Sequence, residues 1–263
     1  MEGLENSGRE KTKYFSQLAV EMREALALHK GAGLWERKDG KRDWGNVSEH
    51  CLVEVARTDV FAGMLKLPDD VMEDLKVAAA LHDFFKKGEK EIATNEGLSW
   101  NSFDKASQES TRQMKEAGFS ERVVRLANAS GHGSFLEIEE ILRKGSLSPE
   151  EVAYLVQHYV DDYTMDTEWA ASAEMISSGR FINDLDRRID MNGRNPRYAR
   201  LNEEAKEYFN GETMSEAQRR IGSAVEERLA QLIHESIGQS LNPKDLPQFI
   251  DKEVRRNISK RKS

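Results

Sequence analysis

Apolar residues recur at intervals of three and four positions along most of this chain, the spacing that places side chains on one face of an α-helix. Leu75, Ala78 and His82, for example, share one such face. Only five prolines interrupt the chain, runs rich in β-branched residues are few, and no segment is a strong strand candidate. The sequence therefore predicts an all-α fold.

The capping residues indicate where several helices begin and end. Ser148-Pro149-Glu150-Glu151 combines a serine N-cap, a proline at the first helical position and acidic residues in the first turn. The turn-rich segment Asn192-Gly193-Arg194-Asn195-Pro196 is the candidate boundary of a C-terminal subdomain. The spacing predicts helices near residues 10–30, 47–66, 68–83, 102–117, 120–130, 135–143, 149–163, 214–237 and 246–258.

Charge and cysteine content limit the classes of partner. The net charge of −8 over 263 residues disfavours nonspecific attraction to nucleic acid, although a local basic cluster spans residues 37–42. The only cysteine, Cys51, cannot form an internal disulfide, which fits a reducing compartment. No apolar run resembles a signal peptide or a membrane span. We therefore expect a cytoplasmic protein with no membrane partner.

The pair His82-Asp83 ends an apolar helical run, where an imidazole and a carboxylate are costly unless a cation or a hydrogen-bond partner compensates them. His50 lies on the apolar stripe of the preceding predicted helix. Near the end of the helix that Ser148 opens, the 100° step per residue places Asp162 on the packed side and Asp161 away from it. These side chains are candidates to converge on one site.

Imidazole nitrogens and carboxylate oxygens together suit Zn, Mn, Fe, Co or Ni. The absence of cysteine ligands argues against a structural thiolate zinc site. The alternative for each histidine by itself is a core residue with a hydrogen-bond partner. Because three predicted helices supply four such groups, the sequence favours a divalent transition metal.

Three segments, Val47-Ser48-Glu49-His50, Ala79-Ala80-Leu81-His82-Asp83-Phe84-Phe85-Lys86 and Tyr159-Val160-Asp161-Asp162-Tyr163, carry a resemblance to a known family. In their order and spacing the sequence resembles the HD-domain superfamily of metal-dependent phosphohydrolases, over about residues 45–165. The resemblance implies an N-terminal helix and polar loop at residues 1–45, an HD-type metal-binding core at 46–166 and a C-terminal helical extension at 167–263.

The same resemblance implies a ligand set and an activity. His50, His82, Asp83 and Asp162 would coordinate one or two ions, with Asp83 able to bridge and Asp161 as the alternative to Asp162. The implied activity is hydrolysis of a nucleotide or related phosphoester by a metal-activated water. Asp83 would position or deprotonate that water, and Lys86 or Arg42 would hold the phosphate.

Two local likenesses add further candidates. His132, between two glycines, looks like the additional histidine of HD proteins with two metals, and the alternative is a polar cap residue. The segment from Arg42 to His50 looks like its counterpart in HD 5'-nucleotidases, but Lys86 stands where those enzymes carry a glutamate. Lys86 and Lys87 are candidate phosphate partners, and a solvated helix end is the alternative for Lys87.

Other functions remain open at this stage. A metal-dependent nuclease is possible through a local basic groove, but the acidic balance disfavours it. A non-catalytic HD-fold nucleotide sensor and oxidative chemistry at paired iron are further alternatives. The expected partner is a small-molecule phosphoester. His158, one turn before Asp162, is expected at the surface.

Overall fold

Twelve α-helices make up most of the described part of the chain, so the predicted all-α fold is confirmed. The computed structural model describes residues 20–34, 37–38, 41–42, 45–164 and 185–260, without the side chains of some of them, Arg42 included. The helices are α1 (Val20–Gly31), α2 (Gly45–Leu65), α3 (Asp69–Leu81), α4 (Lys86–Glu96), α5 (Trp100–Glu116), α6 (Glu121–Ala127), α7 (Phe135–Leu142), α8 (Pro149–Tyr163), α9 (Leu185–Gly193), α10 (Ala199–Tyr208), α11 (Met214–Ile237) and α12 (Leu246–Lys260).

Short elements connect some of the helices. Four 3-10 turns lie at Asn128–Ser130, His132–Ser134, Pro196–Tyr198 and Pro243–Asp245. Strands β1 (Arg37–Lys38) and β2 (Lys41–Arg42) pair antiparallel just before α2, with Arg37 opposite Arg42. Helix α9 ends at Gly193, within the turn-rich segment proposed as a subdomain boundary. The division into domains stays a prediction. No helix in the described ranges is long and apolar enough to cross a membrane.

Local capping explains why several helix boundaries agree with the sequence. Ser148 accepts a hydrogen bond from the backbone of Glu151 and completes a capping box, with Pro149 as the first helical residue of α8. Helix α11 occupies the predicted range, capped by Thr213 at its start and by left-handed Gly238, with a φ of 71°, at its end. These helix ends are specified by their own sequence.

Helix α4 was not predicted, because none of its residues is buried and it therefore has no apolar stripe. Gly88 lies in its first turn, where glycine is unfavourable relative to alanine. A Cβ at Gly88 would lie 2.3 Å from Cζ of Phe85. Glycine is needed here because the Phe85 ring lies against the backbone.

The core is built mainly on α2, α3 and α8, and the helices after residue 199 pack onto it. Ile221, Val225 and Leu229 of α11 belong to the same buried cluster as Leu155 of α8. Arg57 of α2 is 1% exposed, and its guanidinium donates hydrogen bonds to α12 and to the end of α8. Arg57 Nε donates to Asp251 of α12 at 2.8 Å, and Nη1 donates to Thr164 Oγ1 at 2.7 Å. The C-terminal helices are thus joined to the core by both apolar packing and a buried ion pair.

Candidate metal centre

Four side chains from α2, α8 and the end of α3 converge at one point. One ligand atom each from His50, Glu54, His82 and Asp161 lies within 4.8 Å of the other three. His50 and Glu54 are one turn apart on α2, which brings His50 Nε2 to 2.8 Å from Glu54 Oε1. His50 Nε2 is also 3.3 Å from Asp161 Oδ1. This cluster could hold a metal ion.

The hydrogen bonds of His82 determine which of its nitrogens is available. Nδ1 lies 2.9 Å from the carbonyl oxygen of Ala79 and 3.4 Å from Glu54 Oε2. Because the carbonyl oxygen of Ala79 accepts, Nδ1 carries a proton. Burial opposes protonation of His82, but its acidic neighbours outweigh it and hold the pKa of His82 well above the usual value, so a metal ion would replace the proton on Nε2. Nε2 is buried and has no hydrogen-bond partner among the described residues. It lies 3.7 Å from Asp161 Oδ1 and 3.8 Å from Asp83 Oδ2.

These distances fit the proposed metal ligands. Atoms bound at about 2.1 Å to one tetrahedral or octahedral cation lie about 3.0–3.4 Å apart. The carboxylates that surround the unpartnered nitrogen of His82 therefore need only small shifts to bind the same ion. A backbone carbonyl that accepts from the other imidazole nitrogen, as that of Ala79 does here, is a usual support of a metal-binding histidine.

Asp83 lies two residues after the end of α3 and faces the same space. Its Oδ1 lies 3.3 Å from Lys86 Nζ. Burial opposes ionisation, but Lys86 and His82 outweigh it and lower the pKa of Asp83 to about 2. Asp83 is thus an ionised carboxylate beside Nε2 of His82.

The structure reverses the order of the two candidate aspartates. Asp162 is buried, as periodicity predicted, but its Oδ1 accepts from Gln218 Nε2 of α11 at 2.9 Å. Its Oδ2 lies 3.3 Å from Nε2 of His158. Asp161, at 17% side-chain exposure, is the carboxylate that contacts His50 and His82. Asp161 faces a solvent-accessible site and therefore lies at the edge of the buried stripe of α8. Periodicity selects the residue at the centre of that stripe, which is Asp162.

Glu54 was not singled out from the sequence, and the expectation for His158 was wrong. Glu54 is fully buried among apolar residues of α2, one turn after His50, so its charge on an apolar face was a usable signal. His158 is fully buried rather than at the surface, and its Nδ1 donates to the carbonyl oxygen of Ala129 at 3.0 Å.

Burial and nearby charges shift the pKa values of His50 and Cys51 at the centre. Burial opposes protonation of His50, but Glu54 and Asp161 outweigh it and raise the pKa of His50 to about 9. Burial raises the pKa of Cys51 to about 11, so its sulfur remains a thiol, 3.6 Å from His82 Nδ1. The described cluster offers two imidazole nitrogens and two carboxylates as ligands.

The centre borders a cavity of about 200 Å³, and most of the other predicted site residues line it. His132 packs between the rings of Phe103 and Phe135, with centroid distances of 5.6 and 5.5 Å, and burial lowers the pKa of His132 to about 4. Lys86 Nζ reaches the cavity beside Asp83. Lys87 does not line it and borders a separate surface hollow on α4 instead. The side chain of Arg42 lies outside the described part of the structure.

No family model, no curated protein and no solved structure matches this chain. The helical fold and the cluster of two histidines, a glutamate and an aspartate are compatible with a metal site, but they are not diagnostic of the HD domain.

The contacts of the two aspartates predict different effects on metal binding. Asp161→Asn removes a charge beside both histidine nitrogens, so we expect the affinity for Mn²⁺ or Co²⁺ to fall by about 10- to 100-fold or more. Asp162→Asn is the matched control and should change the affinity by less than about threefold, since its carboxylate contacts His158 and Gln218. Titration calorimetry measures both. A greater loss in the Asp162 variant would restore Asp162 as the ligand.

Proposed function

We propose that this protein is a metal-dependent phosphohydrolase that acts on a nucleotide or related phosphoester, as the resemblance to HD-domain enzymes implies. The observation that carries the proposal is the buried, unpartnered Nε2 of His82, surrounded by Asp83 and Asp161 at the border of a cavity. An imidazole nitrogen among carboxylates is a ligand set for a divalent transition metal.

Each residue has a distinct role in this mechanism. His50, His82, Asp83 and Asp161 would hold the ion, and Glu54 would orient His82 through Nδ1. When bound, a divalent metal supplies a water of lowered pKa and stabilises charge on the phosphoryl group. Asp83, ionised at neutral pH, can orient a water and accept its proton.

Lys86 supplies the positive charge for the phosphate. The carboxylates of Asp83 and Glu89 raise the pKa of Lys86 well above its usual value, so its ammonium group persists at neutral pH. Its Nζ lies 3.3 Å from Asp83 Oδ1, so a phosphate held by Lys86 would lie next to the carboxylate that orients the water. This proximity is what in-line attack on phosphorus needs.

Turnover on a panel of nucleotides and phosphate esters tests the proposal. We expect chelator-treated protein to release no inorganic phosphate, and addition of Mn²⁺, Co²⁺, Ni²⁺, Fe²⁺ or Mg²⁺ to restore release with at least one ester. Asp83→Asn should lower kcat by about 100-fold or more, because proton transfer and metal binding are both impaired.

Asp104→Asn, which removes an exposed carboxylate of α5, is the control and should retain full activity. Stoichiometric metal binding without release of phosphate from any ester would contradict the proposal and favour a ligand sensor.

A further inference from the structure

The charged side chains that line the cavity are strongly unbalanced. Four carboxylates line it, from Asp83, Glu89, Asp161 and Asp162, and among the described residues Lys86 is the only lysine or arginine that does so. A divalent ion at the metal centre would offset only part of this negative charge. The cavity thus has few positive charges to offer a highly charged anion.

Lys86 is itself already paired on both sides. Its Nζ lies 3.3 Å from Asp83 Oδ1 and 3.3 Å from Glu89 Oε2. A single phosphoryl group can be shared between this ammonium and a metal ion. A second or third phosphate would have to share Lys86 with Glu89 or face Asp162, and like charges brought together in a partly buried site are strongly unfavourable.

The wall away from the metal centre is uncharged and partly aromatic. Phe103, His132 and Phe135 form a continuous row of rings there, and Ser107 and Ser110 of α5 add small hydroxyl groups. Phe85 lines one side of the cavity, with its ring against the backbone of Gly88. Such a wall suits a flat, uncharged group that also forms hydrogen bonds.

The size of the cavity limits that group further. Its volume of about 200 Å³ is below the roughly 300–1,000 Å³ of pockets that enclose drug-sized ligands. Beside a phosphoryl group there is room for one ring in the enclosed part, and a larger substituent would extend into solvent.

We infer that the substrate is a monoester with one phosphoryl group on an uncharged, hydroxyl-bearing or aryl ring, and that substrates with a chain of phosphates are rejected. The inference rests on the proposed function and specifies its substrate class. The ring could be the pentose of a sugar phosphate, the ribose of a nucleoside monophosphate or an aryl group.

The reaction is a balanced hydrolysis. The oxygen of water forms a bond to phosphorus as the bond between phosphorus and the ester oxygen breaks. One proton of the water passes through Asp83 and the solvent to the leaving oxygen. The products are inorganic phosphate and the ring alcohol.

Matched substrates test the charge argument. We would measure kcat/KM for ribose 5-phosphate, p-nitrophenyl phosphate, a nucleoside 5'-monophosphate and the triphosphate of the same nucleoside, with free metal held constant. We expect kcat/KM to be at least about tenfold lower for the triphosphate than for the monophosphate. Glu89→Gln should reduce the difference in kcat/KM between the monophosphate and the triphosphate. Glu140→Gln, which removes an exposed carboxylate of α7, should leave that difference unchanged.

The aromatic wall is tested separately. Phe103→Ala should raise KM at least about threefold for p-nitrophenyl phosphate and leave KM for glycerol 3-phosphate, which has no ring, unchanged. An equal rise for both substrates would overturn the role of the wall. A triphosphate used as well as the monophosphate would overturn the substrate class while leaving the proposed hydrolase intact.

Equilibrium binding separates this inference from the proposed function. The same panel would be measured by calorimetry with Asp83→Asn protein, with and without Mn²⁺. Suppose that the wild-type protein hydrolyses no ester but the Asp83→Asn protein binds the monophosphates more tightly than the triphosphate. The hydrolase proposal then fails and the ligand class stands. If the triphosphate binds more tightly, the ligand class is wrong.

Discussion

The double replacement His82→Ala with Asp83→Ala is expected to leave the protein without stoichiometric metal. It removes the unpartnered Nε2 and the carboxylate 3.8 Å from it, two of the groups that face the same space. Loss of even a supporting residue lowers metal affinity by about 10- to 100-fold, so the loss of two ligands should exceed about 100-fold. Elemental analysis after dialysis against Mn²⁺ or Co²⁺ measures the effect.

A matched double variant distinguishes this loss from a general effect of the substitutions. His234→Ala with Asp104→Ala removes one histidine and one aspartate from exposed positions on α11 and α5, and it should bind as much metal as the wild type. Far-ultraviolet circular dichroism would show that both variants are folded. Equal metal content in the His82/Asp83 variant and the wild type would mean that the metal centre has been placed wrongly.

Arg57→Ala is expected to destabilise the protein by about 3–5 kcal/mol, since it breaks a buried ion pair by removing the guanidinium from the carboxylate of Asp251. The guanidinium is 1% exposed and donates twice to Asp251, at 2.8 and 3.3 Å. The substitution also removes the hydrogen bond that Arg57 donates to Thr164 Oγ1 at the end of α8. The free energy of unfolding from urea titration of metal-free protein measures the change, and a wild-type protein has only about 5–15 kcal/mol to lose.

Two comparisons show whether burial is the reason. Arg143→Ala removes an arginine that is 73% exposed and pairs with Glu139 at 3.6 Å, so it should cost less than about 1 kcal/mol. Arg57→Leu combined with Asp251→Leu should recover much of the lost stability, because neither charge then remains buried alone. A loss below about 1 kcal/mol for Arg57→Ala would show that the ion pair contributes little.

The fold could be predicted from the sequence wherever the signal is local. The apolar spacing and the caps at Ser148, Thr213 and Gly238 are properties of the segments themselves, and those helices lie where they were expected. Helix α4 escaped prediction because it lies on the surface and has no buried face. Its position depends on Phe85 and on packing against α5, which are not visible in a local pattern.

The site was predictable in part, for a physical reason. Charged and imidazole groups on apolar faces identified His50, His82 and Asp83, and the same rule applied to α2 would have added Glu54. Periodicity favoured Asp162 over Asp161, since it reports the side of a helix that meets the core and not the side that meets a cavity. The partner of Asp162, Gln218, lies 56 residues away in sequence, beyond the reach of any local signal.

The position of Gln218 has a consequence for synthesis of the protein. All four residues of the metal cluster precede residue 162, whereas Gln218 lines the cavity and Asp251 neutralises Arg57. A chain still on the ribosome can therefore expose every metal ligand while Asp162 has no amide donor and Arg57 has no carboxylate. Because domains fold as units during translation, the cavity can be complete only after residue 218 has been synthesised. Products terminated before residue 218 would carry the four residues of the metal cluster and the aromatic wall but would lack Gln218 at the cavity.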